Sequence, residues 1–149
     1  MSKLKLRSLI AVIALAVASP LVAGDDPRHE RHELMEGVGD AAKPIGKMLK
    51  GEREFDAGVV MTSFETFDAA SEKLGGLFPP GSETGEDTSA APAIWEDRGG
   101  FEDAIATWAD AVDAAIAANP RTLEDTRPVA GAIFKACKAC HDNYRIKDE

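Results

Sequence analysis

The chain is 149 residues long, a length that suits one domain built around one hydrophobic core. Its 17 basic residues are outnumbered by 26 acidic ones, and a net charge of −9 argues against nucleic acid and anionic membranes as partners. The only two cysteines, Cys137 and Cys140, are three positions apart, and a disulfide across so short a loop would stabilise the fold little.

The first 23 residues have the composition of a cleaved secretory signal peptide. The segment begins with three basic residues, continues with an apolar run at 9–18, ends in small residues and contains no acidic side chain. The apolar run is too short to span a bilayer comfortably, so we expect no membrane anchor. Cleavage after Ala23 or Gly24 would leave a single domain over residues 24–149.

The charge of this exported domain indicates the kind of partner that it meets. Removing the first 24 residues takes away three basic and no acidic side chains, which leaves 14 against 26 and a net charge of −12. Opposite charges steer association, so a surface of that sign favours partner proteins with basic patches. We expect protein partners and no nucleic acid.

Four amphipathic segments follow the signal peptide, and no strand pattern interrupts them. They extend over about 28–49, 56–77 and 93–119, and from either Thr122 or Thr126, each a suitable N-cap, to 146. Apolar residues recur in each segment at helical spacing. The predicted inner faces comprise Leu34, Met35, Val38, Ala42, Ile45, Met48, Val60, Phe64, Phe67, Leu74, Leu77, Ile94, Trp95, Phe101, Ile105, Trp108, Val112, Ile116, Val129, Ile133, Phe134, Cys137 and Tyr144.

These segments predict an all-α fold. Four helices of about 20 residues around one core are typical of an antiparallel four-helix bundle. Residues 79–92, which separate the second and third segments, are rich in glycine, serine, threonine and proline and are typical of a surface loop.

The last segment carries the most informative motif, Cys137-Lys138-Ala139-Cys140-His141. Two cysteines separated by two residues and followed directly by a histidine are the pattern of covalent c-type haem attachment. On a helix, Cys137 lies close to both Cys140 and His141, because residues three and four apart are neighbours. The motif therefore predicts two thioether bonds to one haem c, with His141 as the proximal iron ligand.

Two haem-free alternatives remain open on the residues alone. A thioredoxin-like thiol pair would need a βαβ setting, which the sequence lacks. A zinc site would need about four ligands, and His29 and His32 are the only further imidazoles. A colourless helical protein that binds zinc or exchanges thiols would fit either alternative.

Further marks surround the haem motif. The motif continues as Asp142-Asn143-Tyr144-Arg145, Arg31 precedes Met35 by four residues, Leu77-Phe78-Pro79 closes the second segment, and Ile94-Trp95 opens the third. In this order and spacing the chain resembles the class II c-type cytochromes, the family of cytochrome c-prime and its low-spin relatives. The resemblance implies a left-handed four-helix bundle with one covalent haem near one end. It also implies a periplasmic protein without enzymatic activity, either a monomer or a homodimer.

The resemblance implies that the function depends on whether Met35 ligates the iron. This residue matches the position that faces iron on the side opposite His141. In the low-spin branch a methionine there is the sixth ligand, and the protein transfers single electrons to and from redox partners. In the high-spin branch the iron is five-coordinate and binds nitric oxide or carbon monoxide. The sequence around Met35 is more similar to the low-spin branch, which makes electron transfer the expectation and gas binding the alternative.

The resemblance also implies roles for three residues at the haem periphery. Arg31 matches an arginine that approaches a haem propionate, and Arg145 matches one beside the exposed face of the proximal imidazole. His32 is expected near a propionate or in solvent. The alternative for Arg31 is an exposed helical arginine that pairs with a nearby acid, and the alternative for Arg145 is a solvated C-terminal charge that interacts favourably with the helix dipole. Phe78 and Trp95 are expected to be packing residues.

Overall fold

The computed structural model describes residues 26–85 and 88–146. The predicted signal peptide and its cleavage site lie outside the described residues. The long helices are α1 (Pro27–Lys50), α2 (Ala57–Leu74), α4 (Arg98–Ala118) and α5 (Leu123–Tyr144), and α3 (Ala93–Glu96) is a single turn. A 3₁₀ turn at Gly75–Leu77 extends α2. The four long helices confirm the predicted all-α bundle, in which α1 packs on α2, α2 on α4, and α4 on α5.

Side-chain caps define where the long helices begin. The Asp26 side chain accepts a hydrogen bond from the backbone nitrogen of Arg28, and Pro27 occupies the first helical position, where its missing N–H has no cost. Asp56 caps α2 in the same way. At the other end of α1, Gly51 has φ 76°, a left-handed conformation that glycine adopts without strain.

The third predicted segment is divided in two by Asp97. Its backbone, at φ −125° and ψ 62°, is not helical, and its carboxylate accepts a hydrogen bond from the backbone nitrogen of Gly100. Asp97 therefore ends α3 and caps α4, so the prediction of one continuous helix over 93–119 was wrong at this point. The sequence does contain the signal, since aspartate is among the strongest N-cap residues.

The last helix begins after Thr122 rather than Thr126. Thr122 Oγ1 accepts a hydrogen bond of 3.1 Å from the backbone nitrogen of Asp125, whereas Thr126 is buried within the helix and donates to Thr122 O. Of the two predicted caps, Thr122 is the one used. Pro128 consequently lies inside α5 and not in its first turn.

The buried core follows the predicted inner faces. Ile45, Val60, Phe64, Val112 and Ile133 are each 0% exposed. The small residues Ala70, Ala115 and Ala130 are buried as well. In the part of the chain that the structure describes, no helix is both long and apolar enough to cross a membrane.

Candidate functional site

A cavity of about 480 Å³ lies at one end of the bundle. Its walls come from the first half of α1, the loop after α2, the first half of α4 and the last turns of α5. Its volume lies in the range of pockets that hold small molecules and cofactors, roughly 300–1,000 Å³. All the residues predicted from the sequence as site residues line it, namely Arg31, His32, Met35, Cys137, Cys140, His141 and Arg145.

The α5 side of the cavity carries the cysteine pair and the histidine. Both thiols are free and half-buried. Burial, with a smaller contribution from Cys140, raises the pKa of Cys137 to about 11, and burial also raises the pKa of Cys140. Thiols that exchange or bind metal as thiolates usually have a lowered pKa, so this environment disfavours a redox thiol pair.

The zinc alternative finds no ligand set in this site. Among residues 26–85 and 88–146, no cluster of three or more histidine, cysteine, aspartate and glutamate side chains could hold a metal ion. His29 does not line the cavity. Its Nε2 lies 3.3 Å from Oε1 of Glu33, one turn further along α1.

His141 has an environment that suits a metal ligand. Partial desolvation lowers its pKa, the nearby positive charge of Arg145 lowers it further, and Asp142 opposes the shift. A lowered pKa keeps the imidazole neutral at neutral pH, and the neutral imidazole is the form that ligates metals. The residue lines the cavity while remaining open to solvent.

The α1 side of the cavity presents Met35, His32 and Glu36. Met35 is half-buried and packs against the core. His32 and Glu36 are exposed at the margin. A methionine thioether thus borders the same space as the imidazole of His141, which comes from the other end of the chain.

Arg31 is buried, with only 5% of its surface exposed, so the alternative of a solvated arginine is wrong. Its Nη1 donates to Leu77 O and Ser82 Oγ, and its Nη2 donates to Ser82 O and Thr88 Oγ1. The guanidinium also lies 5.1 Å from the centre of the Phe78 ring. Desolvation lowers the pKa of Arg31, although a guanidinium remains charged in proteins.

The hydrogen bonds of Arg31 hold the described part of the loop before α3, residues 78–85 and 88–91, as a wall of the cavity. Ser89 and Ala90 line the cavity, and Ala91 N donates to Tyr144 O at 3.0 Å. Arg145 Nε also donates to Ser89 Oγ at 3.4 Å. The sequence indicated an exposed loop, but Ser82 and Ala90 are buried. Composition gave no sign of this role, since serine and threonine are equally common in solvated loops.

The remaining walls are largely apolar and include four aromatic side chains, those of Phe78, Phe101, Trp108 and Tyr144. Phe78 lies edge-on to Phe101, with ring centres 4.8 Å apart, and to Trp95 at 5.9 Å, as expected for packing residues. The indole Nε1 of Trp108 is buried and has no hydrogen-bond partner within the described chain. The other lining residues that the sequence analysis did not assign to a site are Gly39, Leu74, Ile94, Ala104, Ile105 and Tyr144.

This donor set fits a covalently attached metalloporphyrin. Two thiols and an imidazole lie one helical turn apart on α5, a thioether lies on α1, and apolar side chains provide most of the remaining surface. A flat apolar ring would be desolvated by these walls, and a central iron would find nitrogen and sulfur ligands. Cys137, Cys140 and His141 are the residues that would hold it.

Comparison with known proteins gives one consistent family. A family model described as Cytochrome C' matches residues 26–145. Cytochrome c' of Rhodopseudomonas palustris is 38% identical over 148 residues, which are 97% of this chain and 98% of that protein. A solved structure of cytochrome c' from Rhodopseudomonas palustris, 39% identical to this chain, superposes with a TM-score of 0.81 and covers 85% of this chain and all of that one.

Two other relatives extend the comparison. Cytochrome c-556 of Rhodopseudomonas palustris is 31% identical over 148 residues, which are 96% of this chain and 99% of that protein. A cytochrome c prime variant from Alcaligenes xylosoxidans, solved as a nitric oxide complex, is 27% identical at a TM-score of 0.72 and covers 83% of this chain and 96% of that one. The chain therefore belongs to the cytochrome c' family, whose members bind one covalently attached haem c and act in electron transfer or gas binding.

Proposed function

We propose that this protein is a periplasmic electron carrier in which Cys137 and Cys140 hold the haem and His141 and Met35 ligate its iron. The observation that carries the proposal is the position of Met35, which borders the same cavity as the two thiols and the imidazole. A ligand on each side leaves no vacant coordination position for a substrate or gas.

The two ligands have complementary chemistry. The neutral imidazole of His141 is a nitrogen ligand that binds both ferrous and ferric iron. The Met35 thioether is a soft, uncharged ligand. When bound, the haem supplies a one-electron redox change, and a thioether ligand raises its potential relative to histidine ligation alone. Because both side chains come from helices packed in the bundle, little rearrangement is needed when the charge changes.

The peripheral residues set the charge around the cavity margin. Three of the four hydrogen bonds of Arg31 go to the loop and one goes to Leu77 O in the 3₁₀ turn, so we propose that it acts on a haem propionate mainly through its buried positive charge. Arg145 borders the cavity beside His141 and lowers the pKa of that imidazole. His32 lies at the exposed margin, where it would meet a propionate or solvent.

The proposal includes export and a basic partner. Residues 1–23 act as a cleaved signal peptide, and residues 24–149 form the mature domain in the periplasm. The acidic charge of that domain favours redox partner proteins with basic patches around their own cofactors.

A second candidate function is gas binding at an open iron. It is favoured by the cytochrome c' of Rhodopseudomonas palustris, which is 38% identical to this chain against 31% for the cytochrome c-556 of that organism. It is also favoured by the nitric oxide complex of the Alcaligenes protein. In this case Met35 would crowd the distal side and select small gases without ligating iron.

The optical spectrum of the holoprotein separates the two candidates. We expect sharp low-spin bands in both redox states, a weak far-red sulfur-to-iron band when oxidised, and no change on addition of carbon monoxide. A Met35→Ala variant should lose the far-red band and bind carbon monoxide. A broad high-spin wild-type spectrum that shifts with the gas would instead support gas binding.

Met61→Leu is the matched control for this experiment. Met61 is also half-buried against the core, but it lies on α2 and does not line the cavity. We expect its spectrum to match the wild type. A Met35→Ala variant that also keeps the wild-type spectrum would exclude Met35 as a ligand.

A further inference from the structure

The end of α5 is fastened by a contact between side chains that are distant in sequence. Tyr144 is the last residue of α5, three positions after His141 and four after Cys140, so it shares their face of the helix. It lines the same cavity. Its phenol Oη donates a hydrogen bond of 3.2 Å to Asp97 Oδ2.

Asp97 joins two helix ends through one carboxylate. Its Oδ1 accepts a hydrogen bond of 3.1 Å from the backbone nitrogen of Gly100 and so caps α4. Its other oxygen accepts the bond from Tyr144. The Tyr144 ring separately lies edge-on to Phe101, with ring centres 5.3 Å apart, so ring packing and the hydroxyl contact are independent.

Gly100 leaves room for this contact. Its φ is not positive, so its backbone conformation is open to any residue and the need for glycine is steric. A Cβ at this position would lie 2.6 Å from Tyr144 Oη and closer still to Asp97 Oδ2, well inside contact distance. The preceding residue, Gly99, has no atom within 4 Å of an added Cβ. Glycine weakens a helix relative to alanine, and at position 100 the geometry gives it a reason.

We propose that Tyr144 and Asp97 form a latch that fixes the orientation of the haem-attachment turn against α4. Tyr144 is a positioning residue, because it acts through His141 and Cys140, whose directions depend on how the last turn of α5 is rotated. The hydroxyl contact is the part of the latch that sets this rotation, and Gly100 is the position that permits it.

The rest of the chain end does not depend on the hydroxyl. Ala91 N donates to Tyr144 O at 3.0 Å, and Ile146 N donates to Ser89 O at 2.8 Å. Removing the hydroxyl therefore leaves the backbone of this segment paired and the aromatic ring packed. A Tyr144→Phe holoprotein is expected to fold with wild-type helix content, which circular dichroism checks.

Two measurements on the Tyr144→Phe holoprotein test the latch. They are the proton NMR spectrum of the oxidised form and the midpoint potential of the haem. The paramagnetic shifts of the haem methyl groups depend on the orientation of the proximal imidazole plane. We expect the methyl resonances to be redistributed and the potential to move, with helix content unchanged. Wild-type methyl resonances and a wild-type potential in Tyr144→Phe would overturn the proposal.

Variants at Asp97 separate the latch from the helix cap. Serine at this position still caps α4 but is too short to reach Tyr144, so Asp97→Ser should reproduce the Tyr144→Phe spectrum. Asparagine keeps the cap, and its amide nitrogen can donate to Tyr144 Oη, so Asp97→Asn should stay close to wild type. If Asp97→Ser kept the wild-type resonances, the latch would be wrong.

The adjacent glycines provide a matched pair. Gly100→Ala should shift the methyl resonances, and Gly99→Ala should not, because only the first forces Asp97 and Tyr144 apart. Equal spectra for the two variants would count against the latch.

The proposal rests on haem attachment at the α5 motif within the proposed function, but not on Met35. The Met35→Ala spectrum decides the electron-carrier proposal, and the Tyr144→Phe spectrum decides this one.

Discussion

The two sides of the cavity are built by different means. On the α5 side, Cys137, Cys140 and His141 belong to one helical turn, so their arrangement follows from spacing along the chain. On the α1 side, Arg31 is surrounded by acceptors from a loop that is remote in sequence, and Met35 packs against the core and borders the cavity. Residues that could attach the cofactor are thus placed by local spacing, whereas the surroundings of Arg31 and of Met35, the proposed second ligand, depend on tertiary packing.

Removal of both thiols should have the largest effect. A Cys137→Ser and Cys140→Ser double variant has no atom able to form a thioether, so we expect complete loss of covalently bound haem. The measurement is extraction of the denatured protein with acidified organic solvent, which removes only haem that is not covalently attached. Each single variant should retain haem through one remaining bond. Haem extracted from the denatured wild type would contradict covalent attachment through Cys137 and Cys140.

Replacement of Arg31 should have the next largest effect, because it removes the donors to Ser82 O and Ser82 Oγ, which are buried, and one of the donors to Thr88 Oγ1. We expect Arg31→Met to lower the free energy of unfolding by about 2–4 kcal/mol, the scale for a buried charged group with several hydrogen bonds. Denaturant titration of the holoprotein measures it. Limited proteolysis should also show earlier cleavage in the loop at 78–91.

Arg127→Met is the control for that variant. Arg127 is exposed on α5, and its loss should change the free energy of unfolding by no more than about 0.5 kcal/mol. Arg31→Lys should fall nearer to Arg31→Met than to wild type, since an ammonium cannot reproduce the planar fork that contacts Ser82 and Thr88 together. Equal stabilities for the Arg31 and Arg127 variants would mean that the loop holds itself in place.

The fold was predictable where it depends on periodicity. The inner-face positions Val38, Ile45, Val60, Phe64 and Val112 were predicted and are buried, because a stripe at helical spacing has to face the core of a bundle. Side-chain type alone leaves the choice between Thr122 and Thr126 as a cap open, but spacing favours Thr122. Asp125 follows Thr122 by three residues in the pattern of a capping box, whereas Val129 follows Thr126, and the structure has the contact between Thr122 and Asp125.

The site was predictable only in part, because some of its residues are arranged by spacing within one helix and others by contacts with distant parts of the chain. The α5 motif requires no partner outside its own helix, and its residues meet on one face as expected. The burial of Arg31 requires acceptors at Ser82 and Thr88, which are 51 and 57 residues away. Nothing in a stretch rich in glycine and serine identifies those acceptors. The proposed latch between Tyr144 and Asp97 likewise joins side chains that are 47 residues apart, so the sequence does not identify the pair.

The smallest effect is expected at the N-terminus of α1, where the charges of Asp26 and Arg28 help to hold the outer edge of the loop. Arg28 Nη1 donates to Thr84 O at 2.7 Å, and the same side chain donates to the Asp26 carboxylate. The side-chain hydrogen bond from Arg28, followed by that from its backbone nitrogen, lowers the pKa of Asp26 from 3.8 to about 2. The anchoring is therefore strongest while the carboxylate is ionised.

A lowered pKa means that the stabilisation is present above the unfolded value near 3.8 and is lost as the pH falls through about 2. Asp26→Asn isolates this charge, because asparagine caps a helix as well as aspartate does. We expect wild type and variant to converge in stability as the pH falls from 4 to 2, and to differ most above pH 4. Because the pair is exposed, high salt should reduce the difference. A difference that persists unchanged at pH 2 would assign the effect to the shape of the amide and not to the charge, and the loop would then owe its position to Arg31 and the end of α5 alone.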